Sequence, residues 1–159
     1  MQKKEIKIEV TEFAGVSELR PEIQKLVKEA ISASKDAYTP YSKFNVGSAV
    51  LLENGEIISG SNQENAAYPS GLCAERVVMF YANAKYPQAP IKAIAIVAKN
   101  SNSITDEPVP PCGACRQSLI ESEQRFNNKM EVYLVGHKKI QMVKSIADLL
   151  PLTFTGDFL

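Results

Sequence analysis

The three cysteines of this chain are divided between two segments, and that division limits the possible folds more than any other feature. Cys73 opens the run Cys73-Ala74-Glu75-Arg76, while Cys112-Gly113-Ala114-Cys115 follows Pro110-Pro111. Both segments read as helix starts. Good helix formers run from Cys73 to about Lys85, and Pro111 sits just before or in the first turn of a helix reaching about Phe126. Thiols three residues apart at a helix start lie on one side of its first turn. For all three sulfurs to serve one site, two helix N-termini must converge on one point. Their partial positive charge then favours thiolate over thiol.

Three soft ligands fit a catalytic zinc site better than a structural one. Structural zinc takes four protein ligands, whereas catalytic zinc keeps one position for water. The chain has a single histidine, His137, in an expected hairpin turn. A closed site of three cysteines and His137 is therefore the competing reading. With the fourth position open, zinc lowers the pKa of a bound water to about 7. Glu75 follows Cys73 by two positions and reaches such a water without itself ligating the metal. A carboxylate there can take a proton and deliver it to a substrate nitrogen. Taken alone, Glu75 would be an ordinary first-turn glutamate supporting the helix dipole. Three thiolates on Zn²⁺ leave a net charge of about −1. Arg76, one turn from Cys73, is either a donor to the sulfurs or a solvent-exposed helix charge.

The remaining pattern is that of an α/β layered fold. Residues 5–10 alternate polar and apolar, as a half-buried strand does. Pro21 begins a helix with a buried face of Ile23, Leu26, Val27, Ala30 and Ile31. Val46 to Leu52 and Glu56 to Ser61 flank Asn54-Gly55, a hairpin dipeptide whose two turn positions favour positive φ. A polar loop, Asn62 to Gly71, precedes the Cys73 helix. Ile91 to Ala98 reads as a central strand buried on both faces, and residues 101–109 as a loop. Strands over Glu131 to Gly136 and Ile140 to Val143 and a short helix from Ser145 to Leu149 complete the order βαββαβαββα.

Bulk composition narrows the function classes. A length of 159 residues favours one domain with a sizeable core. A net charge of zero gives no support to nucleic-acid binding. No stretch resembles a signal peptide or is long and apolar enough to span a bilayer, so a soluble, cytoplasmic protein is expected. Three cysteines cannot all pair internally, and in a reducing compartment metal binding is the better use of them.

Cys73-Ala74-Glu75 with Pro111-Cys112-Gly113-Ala114-Cys115-Arg116 resembles the zinc-dependent deaminases, whose signature includes this three-cysteine form. The match is nearest to the small homotetrameric cytidine deaminases. It takes in Tyr41-Ser42-Lys43-Phe44-Asn45-Val46-Gly47, Asn62-Gln63-Glu64-Asn65-Ala66-Ala67-Tyr68, and Leu149-Leu150-Pro151 with Phe154. Four ordered motifs are far more specific than one Cys-x-x-Cys pair.

The resemblance implies a three-layer α/β/α fold with a mixed five-stranded sheet, one domain over residues 1–159, and one Zn²⁺ held by Cys73, Cys112 and Cys115. It implies hydrolytic deamination of cytidine and 2′-deoxycytidine in pyrimidine salvage, with no nucleic-acid or membrane partner. Glu75 would protonate N3 and then the departing ammonia, with Arg76 supporting the sulfurs. The backbone beside Ala74 would hold the pyrimidine edge. Asn62 and Glu64 would bond the ribose 3′-hydroxyl, and Phe44 would line the pocket. Tyr68 and Phe154 match positions through which neighbouring subunits of a tetramer complete each other's pockets. A deaminase of the same fold acting on blasticidin S is the nearest alternative, and Asn62-x-Glu64-Asn65 argues against it. The resemblance begins at about residue 22. It leaves residues 1–20 as an extension, suited to an edge strand or an intersubunit contact.

Overall fold

Alternation in the central strands divides the interior into two cores of different texture. The computed structural model describes residues 1–100 and 103–159. Strand β2 (Phe44–Leu52) pairs antiparallel with β3 (Ile57–Ser61) and with β4 (Ile91–Asn100). Strand β6 (Glu131–Val135) lies parallel to β4, and β7 (Ile140–Val143) returns antiparallel to it. Successive side chains of a strand point to opposite faces. On one face Ala49, Ala93 and Ala95 are small, and helix α1 (Pro21–Ala33) packs there through Ile23, Leu26, Val27 and Ala30. On the other face Val50, Ile94, Ile96, Val132 and Leu134 are larger. They meet helices α2 (Ala74–Lys85) and α3 (Gly113–Phe126) through Val78, Met79, Leu119 and Ile120.

Close approach of α1 depends on Gly47. A Cβ at that position would lie 2.1 Å from the Ala30 carbonyl oxygen and 2.5 Å from the Ser34 nitrogen. Backbone rather than flexible side chain fills that space, so nothing there can yield. On the opposite face the buried Glu123 of α3 gathers three donors. Its carboxylate accepts from the amides of Met130 (2.9 Å) and Ile146 (2.9 Å) and from the Ser145 hydroxyl (2.7 Å). The end of α3, the start of β6 and the 3₁₀ turn Ile146–Leu149 are thereby tied together. Asn127 closes α3 in the left-handed region at φ 47°, a conformation asparagine tolerates well.

The sheet is mixed, as expected, but has seven strands rather than five among the described residues. Its order is β1 (Thr11–Phe13), β7, β6, β4, β2, β3, with β5 (Ser103–Ile104) paired to the end of β4. The extra strands are two and three residues long, too short to carry a readable alternation. Ser101 and Asn102 of the expected 101–109 loop lie outside the described residues.

The strand expected over residues 5–10 is displaced. Strand β1 is Thr11–Phe13, antiparallel to β7, and residues 1–10 form no ladder. The partner explains the shift: β7 ends at Val143 and offers no edge further on. In the β2–β3 hairpin only Gly55 takes positive φ, at 86°, where the sequence pattern expects Asn54 to share it. Asn54 instead accepts the Glu56 amide on its side chain, giving a wider turn. The short helix expected at 145–149 is a 3₁₀ turn. No helix among the described residues is long and apolar enough to cross a membrane.

Two substitutions test this packing. Gly47→Ala should cost about 3 kcal/mol or more by overpacking, seen as a Tm fall of roughly 6–12 °C in thermal unfolding. Glu123→Ala should leave its buried donors unpaired and cost about 2–4 kcal/mol in denaturant titration. An unchanged midpoint would show that neither contact restrains the fold.

Candidate active site

The two helix starts do converge. Cys73 is the N-cap of α2, Cys112 is the N-cap of α3, and Cys115 lies in the first turn of α3. The sulfurs of Cys73 and Cys112 are 3.9 Å apart, and those of Cys112 and Cys115 are 3.5 Å apart. All three fall within 4.8 Å of one another. A tetrahedral zinc with metal–sulfur bonds of about 2.3 Å needs sulfur separations of roughly 3.8 Å. The donor set therefore fits the ion in type, number and spacing. His137 is not part of this group, and lies in the turn between β6 and β7. The closed four-ligand reading has no support in this geometry.

Two arginines organise the site. Arg76 places Nη2 3.9 Å from the Cys73 sulfur. Arg116 donates from Nε to the Pro111 carbonyl (2.8 Å) and from Nη1 to the Leu149 carbonyl (2.7 Å). It fixes the approach of the proline pair to Cys112. Among the protein groups alone, negative charge settles on Cys73. Hydrogen bonding from the Cys115 thiol is the main cause; with help from Arg76 it outweighs burial and draws Cys73 down to about 5. Cys115 is pushed up by the same hydrogen bond to Cys73 and by burial.

Glu75 is 4% exposed, and its Oε2 is buried without a hydrogen-bond partner. Burial, reinforced by the charge on Cys73, raises its pKa. An unpartnered buried carboxylate oxygen costs stability, and here it stands next in sequence but one to Cys73 of the three-sulfur cluster.

A cavity of about 450 Å³ opens beside Cys73 and Arg76. That lies within the roughly 300–1,000 Å³ range of small-molecule sites. Asn62, Glu64 and Tyr68 line it, together with Tyr41, Ser42, Gln63, Asn65, Gly71 and Leu72. Asn62 bridges the start of β2: its Nδ2 donates to the Phe44 carbonyl (3.0 Å) and its Oδ1 accepts the Val46 amide (2.8 Å). Glu64 Oε2 accepts the amides of Tyr41 (2.9 Å) and Ser42 (3.2 Å). Hydrogen bonds from Ser42 are the main reason its pKa is lowered. The wall and the loop before β2 are thus one hydrogen-bonded unit. Tyr41 and Ser42 belong to the motif at residues 41–47, but they bond Glu64 through backbone amides, so their side chains give no signal of a place in the site.

Other candidate residues lie elsewhere. Phe44 and Ala74 are not in the cavity wall; Phe44 starts β2 and Ala74 is buried at the start of α2. Tyr68 is 77% exposed and lines the cavity of its own protomer, its ring 6.3 Å from that of Tyr41. Phe154 lies outside the wall, with its carbonyl accepting from Gln117 of α3 and its ring stacked on Phe158.

The comparisons with known proteins point the same way. Residues 20–128 match the model of the cytidine and deoxycytidylate deaminase zinc-binding region. A cytidine deaminase of Halalkalibacterium halodurans is 42% identical over 134 residues, which span 84% of this chain and 95% of that protein. One from Sporosarcina psychrophila is 42% identical over 136 residues, 86% of this chain and 93% of that protein. The 1.6 Å crystal structure of cytidine deaminase from Burkholderia pseudomallei superposes with a TM-score of 0.71 at 38% identity, over 82% of this chain and 97% of that one. The matched region is the family's zinc-binding one, and the three-cysteine cluster supplies the donors for that cofactor. Motif, cluster geometry and fold agree that this chain belongs to the cytidine and deoxycytidylate deaminase family.

Proposed function

We propose that the protein is a zinc-dependent cytidine deaminase, hydrolysing cytidine and 2′-deoxycytidine to uridine and 2′-deoxyuridine with release of ammonia. The observation that carries this reading is the buried, unpartnered Glu75 Oε2 beside the cysteine cluster. Bound by Cys73, Cys112 and Cys115, zinc supplies a Lewis acid that makes hydroxide available near neutral pH. Glu75 takes the proton that water gives up and passes it to pyrimidine N3 as the C4–O bond forms. It then moves the remaining proton of that water, now on the C4 oxygen, to the exocyclic nitrogen as the C4–N bond breaks, so that ammonia leaves and C4 becomes a carbonyl. Its raised pKa suits both duties, since an acid–base group works best when its pKa lies near the operating pH.

Substrate binding follows from the wall. Glu64 commits Oε2 to two backbone amides and leaves Oε1 for the ribose 3′-hydroxyl. Asn62 commits Oδ1 and one Nδ2 hydrogen to β2 and leaves its second Nδ2 hydrogen for the same hydroxyl. Phe44 and the backbone at Ala74 flank the base. The exposed rings of Tyr68 and Phe154 support a homotetramer in which neighbouring subunits complete each pocket. In this reading the chain forms one deaminase domain of three layers, α/β/α, with residues 1–20 appended. It acts on free nucleosides in the cytoplasm, in pyrimidine salvage, without nucleic-acid partners.

Ammonia release from cytidine by the zinc-loaded protein, with uridine as product, tests the reaction; intact zinc without turnover on either nucleoside would overturn it. Glu75→Gln should keep full zinc occupancy and lower kcat by about 10²–10⁴-fold. Substantial activity in that variant would remove Glu75 from the proton path. Cys115→Ser should lose most bound zinc by elemental analysis, whereas His137→Ala should retain it.

A further inference from the structure

The first ten residues carry a pattern that the rest of the molecule leaves unused. Ile6, Ile8 and Val10 are 51%, 46% and 47% exposed, although they alternate with Glu5, Lys7 and Glu9 as a half-buried strand would. The register of β1 on β7 pairs Thr11 with Met142 and Glu12 with Gln141. Glu9 continues it, meeting Lys144 at 3.0 Å. Beyond that point the chain leaves β7 for the 3₁₀ turn Ile146–Leu149, so residues 5–8 run past the end of the strand that β1 pairs with. On its other side β1 is the terminal strand of the sheet order. A short edge followed by an unpaired β-rich arm offers backbone donors and acceptors to another strand.

We propose that this arm pairs antiparallel with the same arm of a second copy of the chain, centred on Ile8, joining two sheets about a two-fold axis. Charge and apolar matching select the register. Centred on Ile8, Ile6 faces Val10 of the other copy, Ile8 faces itself, and Lys7 faces Glu9 in both directions. Opposite-charge and β-branched cross-strand pairs are both stabilising. A shift of the centre to Lys7 or Glu9 sets like charges opposite one another. A centre at Ile6 keeps the charges matched but sets Ile8 against Lys4. Parallel pairing in register stacks Glu on Glu and Lys on Lys. The arm is therefore complementary to itself in one register, and a two-fold contact satisfies each arm with one partner arm. Lys and Glu are interspersed along the arm, which gives no basic cluster for an anionic membrane.

Cysteine cross-linking in the zinc-loaded full chain reads the register directly. Opposed residues in an antiparallel pair have Cα atoms about 4.5–5.5 Å apart, within disulfide range. Ile8→Cys should give a disulfide-linked dimer on mild oxidation, the bond mapped to position 8 by mass spectrometry. Ile6→Cys should link efficiently only when mixed with Val10→Cys. Adding Lys7→Glu to the Ile8→Cys chain should cut the yield about tenfold. Cross-linking at position 8 no greater than for Gln2→Cys would overturn the pairing. So would efficient self-linking of Ile6→Cys. Hydrogen exchange of residues 5–11 is the second measurement. Protection that rises with protein concentration is expected. Protection independent of concentration would place the arm on its own protomer and overturn the proposal, as would no protection at all. Neither readout depends on catalysis, so this pairing and the cytidine reading fail separately.

Discussion

The meeting of two helix N-termini at one point is the constraint on which the rest of the structure depends. Three sulfurs gathered within 4.8 Å repel one another once ionised, and water-accessible side chains on flexible loops would not stay so close. Here Cys73 and Cys112 are themselves N-caps, so backbone geometry sets their positions rather than side-chain choice. The helix ends supply partial positive charge where the thiolates need it. Arg76 adds a full charge at one sulfur, and Arg116 holds the strand of chain leading to another.

Holding those helix ends in register is the task of the sheet beneath them. Helices α2 and α3 lie together on the large-residue face, anchored by Leu119, Ile120, Val78 and Met79. Glu123 fixes the far end of α3 by binding three donors. On the reverse face the small residues and Gly47 let α1 lie close against β2, and Asn62 and the Tyr41–Glu64 contact then hold the strand's entry beside the cavity. A carboxylate oxygen left without a partner, Glu75 Oε2, is tolerable only in such a rigid surround, because a softer one would shift to satisfy it.

Much of this was legible in the residues, for physical reasons. Helix periodicity placed α1 and its buried face, and Pro21 its start, because burial of one stripe leaves a 3.6-residue signature. The three ligands were readable because metal chemistry restricts residue type and spacing together. Strand β1 was misplaced because alternation reports what a segment could bury, whereas pairing depends on how far β7 extends. The turn at Gly55 differed because Asn54 found a local hydrogen bond instead of positive φ. Tyr41 and Ser42 act in the wall through backbone amides, which carry no side-chain signature at all.

Cys73 and Cys112 are separated by 39 positions, with the whole of α2 and β4 between them. Closing a loop of that length costs about 3 kcal/mol of chain entropy. A chain that has formed either helix alone presents at most two of the three sulfurs. High-affinity zinc capture therefore waits until both helices have docked on the sheet. A complete set of donors is thus a property of the folded chain and of neither helix alone.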